Sequence, residues 1–283
     1  MDDLEYSYLK HKILKLTDID LDAYKSRQMR RRLEGYVNKS SATDIAGYCR
    51  MLDQNPEMVI ELMDYLAINV SEFFRDLPSF EYLKKTVLPE LLSRNRRLNI
   101  WSTACSCGHE AYSIAIMLED ICPQHRHRIL ATDIDRKALE QAGNGGPYSQ
   151  SDVRNIDRHT LARFFVKEED GYRVTDFIRR KVEIGHHNLL KDPFEYSFDL
   201  IVCRNVIIYF SNSVRDKLYA NFYRSLRAGG MLFVGGSEVI LHPDDLGFSM
   251  KHPSFYSKSC LRPEPATIEG AALPDVISKE VRI

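Results

Sequence analysis

The chain has 283 residues, with 39 basic and 40 acidic side chains, a formal charge of −1 with histidine neutral. A hydrophobic fraction of 44% supports a sizeable core and excludes wholesale disorder, and no apolar run approaches the ~18–20 residues of a membrane span. The acidic start, Met1-Asp2-Asp3-Leu4-Glu5, leads into no apolar segment, so no signal peptide is expected. The near-neutral balance argues against nucleic acid as a partner, leaving the expectation of a soluble, cytoplasmic protein of one large or two modest domains.

Residues 1–76 read as an all-helical N-terminal domain. Apolar residues recur at helical spacing in Met29, Leu33, Tyr36 and Val37, and again in Met58, Leu62, Tyr65 and Leu66. Pro78 punctuates the chain, and 80–92 reads as an amphipathic helix interrupted by Pro89. With the polar stretch Arg94-Asn95-Arg96-Arg97, this makes 77–97 a helical linker.

From residue 98 the pattern changes to short apolar strands at 98–101, 128–131, 182–184, 198–202 and 231–234. Helices are expected at 110–118, 137–142 and 214–226, the last ended by Ala228-Gly229-Gly230. Such alternation predicts an α/β fold, a parallel sheet with helices on both faces. Between the second and third strands, Glu168-Glu169-Asp170-Gly171 turns a small hairpin, giving an inserted β-subdomain at about 160–181. The segments 248–251 and 255–261 flank His252-Pro253-Ser254 as a closing hairpin, so this domain is drawn as 98–262. The polar composition beyond it makes 263–283 a flexible tail.

Six scattered cysteines in a chain of this length read as reduced and mostly buried. Cys105-Ser106-Cys107-Gly108-His109 offers two thiolates and an imidazole, but the spacing is not C-x2-C. A fourth ligand such as Cys122, His125 or His127 enters only by assuming the fold, so no metal is expected.

Two positions mark a ligand site at the strand ends of a doubly wound sheet. Gly108 falls in the loop after the first strand, where a missing Cβ allows close approach, and Asp133 ends the second strand, where a carboxylate can accept from a ribose diol. Neither G-x-G-x-x-G nor a P-loop is present, which favours a nucleoside without a pyrophosphate. Cys203-Arg204-Asn205 brings a cation and an amide to the same edge. Its bland reading is an arginine paired with a nearby carboxylate and an asparagine capping a turn. The polar-aromatic block Asn69-Val70-Ser71-Glu72-Phe73-Phe74-Arg75 has a bland reading as a capped helix start.

Together these motifs resemble the CheR family of chemotaxis-receptor glutamate methyltransferases, which use S-adenosylmethionine (SAM). The resemblance covers about residues 10–262 and rests on five blocks in order: 69–75, 101–113 (WSTACSCGHEAYS), 131–135 (ATDID), 198–210 (FDLIVCRNVIIYF) and 229–238 (GGMLFVGGSE). It implies a Rossmann-like class I methyltransferase sheet with the small β-subdomain inserted, preceded by the helical domain. Asn69, Ser71 and Arg75 would reach the cofactor from the helical side. Gly108, Glu110 and Asp133 would hold it, and Asn188, Leu189, Arg204 and Asn205 would complete the pocket. The second block departs from the family's usual S-T-G-E-E-P-Y: Cys107, His109 and Ala111 stand where threonine, the first glutamate and proline are usual, and Glu110 keeps the second glutamate.

The implied activity is methyl transfer to glutamate carboxylates of chemoreceptors, giving methyl esters and S-adenosylhomocysteine (SAH). A carboxylate is already deprotonated at neutral pH, so no general base is required; alignment and exclusion of water are the protein's work. Arg204 and Tyr209 are the candidates for orienting the substrate carboxylate. Lys25, Arg27, Arg30, Arg31 and Arg32, in an acid-free stretch, are the candidate dock for the acidic cytoplasmic helices of a receptor, against a solvated helix face as the bland alternative. A monomer that needs no receptor tail peptide is expected. Rival readings are a methyltransferase with another carboxylate acceptor, and a catalytically weakened SAM/SAH-binding receptor module, the latter motivated by Cys107 and His109.

Overall fold

The computed structural model describes residues 1–66, 71–123 and 125–259. Four helices open the chain: α1 (Asp3–Thr17), α2 (Ser26–Val37), α3 (Ile45–Gln54) and α4 (Pro56–Leu66). Asp2 and Glu5 form a reciprocal capping box on α1, and the stripe Met29, Leu33 and Val37 of α2 packs with Leu9, Ile13, Tyr48 and Leu52 as a separate helical core.

Helix α5 (Leu77–Tyr82) runs through a widened π turn, Leu83–Val87, into α6 (Leu88–Arg94). The widened turn takes up the register where Pro89 has no N–H to give, so the helix continues past the proline. Phe80, Leu83, Val87, Leu88 and Leu91 are buried in one core with Ile100, Ile114 and Met117. Residues 77–97 are therefore a covering layer of the sheet rather than a spacer, and Phe73 joins the same core.

The α/β part follows as β1 (Asn99–Thr103), α7 (His109–Ile121), β2 (Arg128–Asp133), α8 (Arg136–Asn144) and α9 (Arg158–Phe164). The hairpin β3 (Phe165–Glu168) and β4 (Gly171–Val174), α10 (Asp176–Arg179), β5 (Val182–His186), β6 (Phe198–Cys203), α11 (Asn212–Ser225), β7 (Leu226–Val234), β8 (Phe248–His252) and β9 (Phe255–Lys258) complete it. The seven-stranded sheet has the order β5-β2-β1-β6-β7-β9-β8. The first five strands are parallel, with Ile100 opposite Leu200 and Thr103 opposite Cys203, and β9 runs antiparallel to both β7 and β8. The expected hairpin is present as a two-stranded sheet of its own.

One glycine expectation is corrected. Helix α11 ends at Ser225, and Ala228-Gly229-Gly230 lies inside β7. Gly229 is at φ +73, and the β6–β7 register shifts between Phe198 and Leu200. The glycines thus serve a β-bulge, not a helix cap. Among the described residues no helix is long and apolar enough to cross a membrane.

Candidate functional site

The strand order reverses between β1 and β6, where ligands of open α/β sheets bind. A cavity of about 450 Å³ opens there. Its floor is formed by the segments after β1, β2, β5 and β6, and its roof by Tyr24 and Lys25 just before α2 and by Gln28 and Arg32 on that helix.

The loop after β1 bends sharply, with Ala104 at φ 49, Ser106 at φ 48 and Gly108 at φ 86. Ser106 donates its backbone N–H to Asp133 Oδ2 at 2.7 Å, while Asp135 donates to Oδ1 at 2.9 Å. These bonds fix the Asp133 carboxylate at the cavity wall, and burial raises its pKa against the backbone donors that lower it. A carboxylate has about four acceptor positions, so a neighbouring pair of hydroxyls can still be bound.

Glu110, in the first turn of α7, accepts from Ser102 Oγ at 2.8 Å and faces Arg204 Nη1 at 3.5 Å. Burial pushes its pKa up, and Arg204 opposes that shift. Arg204 ends β6 with its guanidinium 4.5 Å from the Phe233 ring centre. Its Nη2 donates to Arg75 O at 3.0 Å and meets Asp76 Oδ2 at 3.4 Å. Both terminal nitrogens are engaged, so Arg204 ties α7 to the 75–76 segment, as the bland reading of a paired arginine has it. Its buried Nε has no partner among the described residues.

Ser71, Arg75, Asn188, Leu189, Asn205 and Tyr209 line the same cavity; Asn69 lies outside the described residues. Asn188 shapes its own turn, its Oδ1 accepting from Leu190 N at 2.9 Å. Gly108 is not on the lining. A Cβ there would meet Ala142 Cβ and Tyr112 Cε2, each at 3.0 Å, so this glycine answers to a positive φ and tight helix packing rather than to ligand approach.

Helix α2 divides the five expected docking cations. Lys25 and Arg32 face the cavity, and Arg32 Nε also donates to Tyr65 O at 3.1 Å. Arg30 pairs with Asp3 at 2.6 Å and with Glu34 at 3.6 Å. Arg27 and Arg31 are exposed and make no ion pair among the described residues.

Sequence reasoning missed Tyr24. Its flanking backbone pairs with the wall after β6: Lys25 N donates to Tyr209 O and Ser211 N to Ala23 O, each at 2.9 Å. The ring packs on Phe210 at 5.0 Å. Burial, with Asp133 nearby, pushes the Tyr24 phenol up to about 12, so it is a neutral donor at the cavity roof. No periodicity or motif marks this residue; only the pairing of 24–25 with 209–211 does.

Cys107 and His109, the departures in the β1 loop, are absent from the lining. His109 is buried, its ring 5.1 Å from Phe73 and 4.7 Å from Tyr148, with Nε2 3.9 Å from Asp152 Oδ1. That imidazole, followed by the Ser149 N–H and hydroxyl, holds the Asp152 carboxyl at about 2. Cys107 Sγ donates to Gln141 Oε1 at 3.1 Å, and burial pushes the thiols of Cys105 and Cys107 up. Cys122 Sγ and His125 Nδ1 lie 2.8 Å apart, and among the described residues no group of three or more His, Cys, Asp or Glu side chains is placed to hold a metal.

Two family models match this chain. Residues 4–67 match the all-alpha domain of the CheR methyltransferases, and residues 69–254 match their SAM binding domain. Among its relatives are several named chemotaxis protein methyltransferase. That of Listeria monocytogenes is 38% identical over 258 residues, spanning 90% of this chain and 97% of the relative. That of Listeria innocua is 36% identical over 256 residues, spanning 90% and 97%. That of Borreliella burgdorferi is 31% identical over 255 residues, spanning 85% and 89%.

Proposed function

The chain belongs to the CheR methyltransferase family, with its SAM-binding domain, and from that premise we propose that it methylates glutamate side chains of bacterial chemoreceptors, giving methyl esters and SAH. The observation that carries the reading is the division of charge in a cavity built by both layers. Glu110 and Asp133 are half-buried in its floor, whereas Lys25 and Arg32 look in from the α2 side.

The floor fits SAM. At about 450 Å³ the cavity is within the range of small-molecule sites. Asp133, pinned by two backbone donors, keeps acceptor positions for a ribose diol. Two carboxylates whose burial disfavours charge are suited to a cationic ligand. When bound, SAM supplies an electrophilic methyl on a positively charged sulfur.

The chain's own residues align and exclude. The α2 cations favour entry of a substrate carboxylate, and Tyr209, held through its carbonyl by Lys25 N, orients it beside Arg204. The helical roof keeps water from the reacting charges. The acceptor is ionised at neutral pH and needs no base. His187, on the cavity wall, has its ring packed edge-on 5.3 Å from that of Trp101 and its Nε2 3.3 Å from Pro193 O. Because Cys107 and His109 are not among the residues that line the cavity, the substitutions that motivated a non-catalytic module do not alter its wall, which supports the enzyme reading.

The proposed partner is the cytoplasmic helical region of a chemoreceptor, met by a cytoplasmic monomer. Incubation with methyl-labelled SAM and receptor-containing membranes tests this. Base-labile label on the receptor is expected; SAH binding without any transfer would leave only the module, and transfer to other carboxylates alone would change the acceptor.

A further inference from the structure

The loop that follows β6 turns four successive backbone N–H groups toward a single side chain. Val206, Ile207 and Ile208 donate to Glu238 Oε1 at 2.9, 2.8 and 3.3 Å, and Asn205 donates to Oε2 at 2.6 Å. Gly235 N adds a fifth bond, to Oε2, at 2.8 Å. The carboxylate comes from a residue only 1% exposed, beyond the end of β7. Room for it depends on Gly235, where a Cβ would stand 2.6 Å from Glu238 Oε2 and 3.0 Å from Asn205 Nδ2.

Consecutive N–H groups converging in this way form an anion nest, and the charge-assisted bonds that fill it are stronger than neutral ones. Without the anion these donors, partly or fully buried, would lose the partner that pairs them. The 3₁₀ turn Ile207–Tyr209 has no cap from its own N-cap side chain, and Asn205 stands at φ 60. Glu238 is what satisfies this backbone. Glu238 itself does not line the cavity, but Asn205, Val206, Ile208 and Tyr209 do.

We infer that Glu238 is a positioning residue for methyl transfer: its carboxylate fixes the 205–209 wall and so sets where Tyr209 meets the substrate. This rests on the methyl-transfer reading above. A glutamine at 238 keeps the shape but turns an amide NH₂ toward the N–H groups at one end of the nest.

The test uses the full chain with Glu238→Gln and three readouts: transfer from labelled SAM to receptor membranes, SAH affinity by calorimetry, and hydrogen exchange of the 205–208 amides. Exchange is expected to accelerate and kcat to fall about a hundredfold, the cost of misplacing reacting groups by ~1 Å. The SAH dissociation constant is expected to rise by no more than about tenfold, because Glu238 holds Asn205 of the cofactor-site candidates but neither Glu110 nor Asp133. Unchanged exchange overturns the inference, as does a fall in kcat matched by an equal loss of SAH affinity, which marks a merely structural role. If the glutamine variant does not fold, Gly235→Ala displaces the carboxylate without removing it and must give the same pattern. If the wild-type protein labels no receptor, the functional reading falls, and amide exchange alone decides the role of Glu238.

Discussion

Gly108→Ala separates two roles for the glycine at the entry to α7. The first is space for a ligand; the second, which the structure supports, is a left-handed backbone packed against α8. An alanine at φ 86 costs about 1–2 kcal/mol in backbone strain. Its Cβ would stand 3.0 Å from both Ala142 Cβ and Tyr112 Cε2, and overpacking of that kind costs about 1–3 kcal/mol. Loss of unfolded-state freedom returns about 0.4–1 kcal/mol. The net expectation is destabilisation by about 1–4.5 kcal/mol. The chain has a single tryptophan, Trp101, buried in β1, so its fluorescence during urea unfolding reports on the sheet. The transition midpoint is expected to fall at unchanged slope. A variant as stable as the wild type that nonetheless loses SAH binding would refute the packing argument and restore the ligand-approach role.

Asp133→Asn exchanges an acceptor of two backbone N–H groups for a side chain with one acceptor and one donor end. SAH affinity is expected to fall about tenfold to a hundredfold, or ~1.4–3 kcal/mol, by calorimetry, and an unchanged constant would remove Asp133 from the cofactor site. Burial raises the pKa of both Glu110 and Asp133, so the ligand-free fold loses stability as pH rises from the unfolded carboxylate range through their higher folded values. A cationic ligand reverses that preference: binding in this window releases protons and tightens with pH. Calorimetry in buffers of differing ionisation enthalpy measures the release, and proton uptake would contradict it. For the exposed pair on α2, Arg27→Glu with Arg31→Glu is expected to raise the receptor KM about tenfold with SAH affinity unchanged; an unchanged KM assigns both residues to a solvated face.

Legibility in the sequence followed the range of the interactions. Strand β6 was readable because every residue from Phe198 to Cys203 is buried, as a central parallel strand requires. The first half of β7 was not, since Arg227, Gly229 and Gly230 carry no strand pattern and the bulge exists only opposite Phe198 and Leu200. Asp133 and Arg204 could be found because strand ends are local features, whereas Tyr24 and Glu238 reach the site only through tertiary pairing with residues 205–211. The cations of α2 were a different failure, one of period rather than range. At about 100° per residue, positions seven apart fall on nearly the same face and positions four apart on neighbouring ones. Lys25 and Arg32 therefore share a face, and that face is turned to the cavity, whereas Arg27 and Arg31 share another that is exposed. Arg30 falls to the side of that second face, where Asp3 and Glu34 hold it. Helical geometry thus divides the five cations of this short stretch into inward, outward and paired groups.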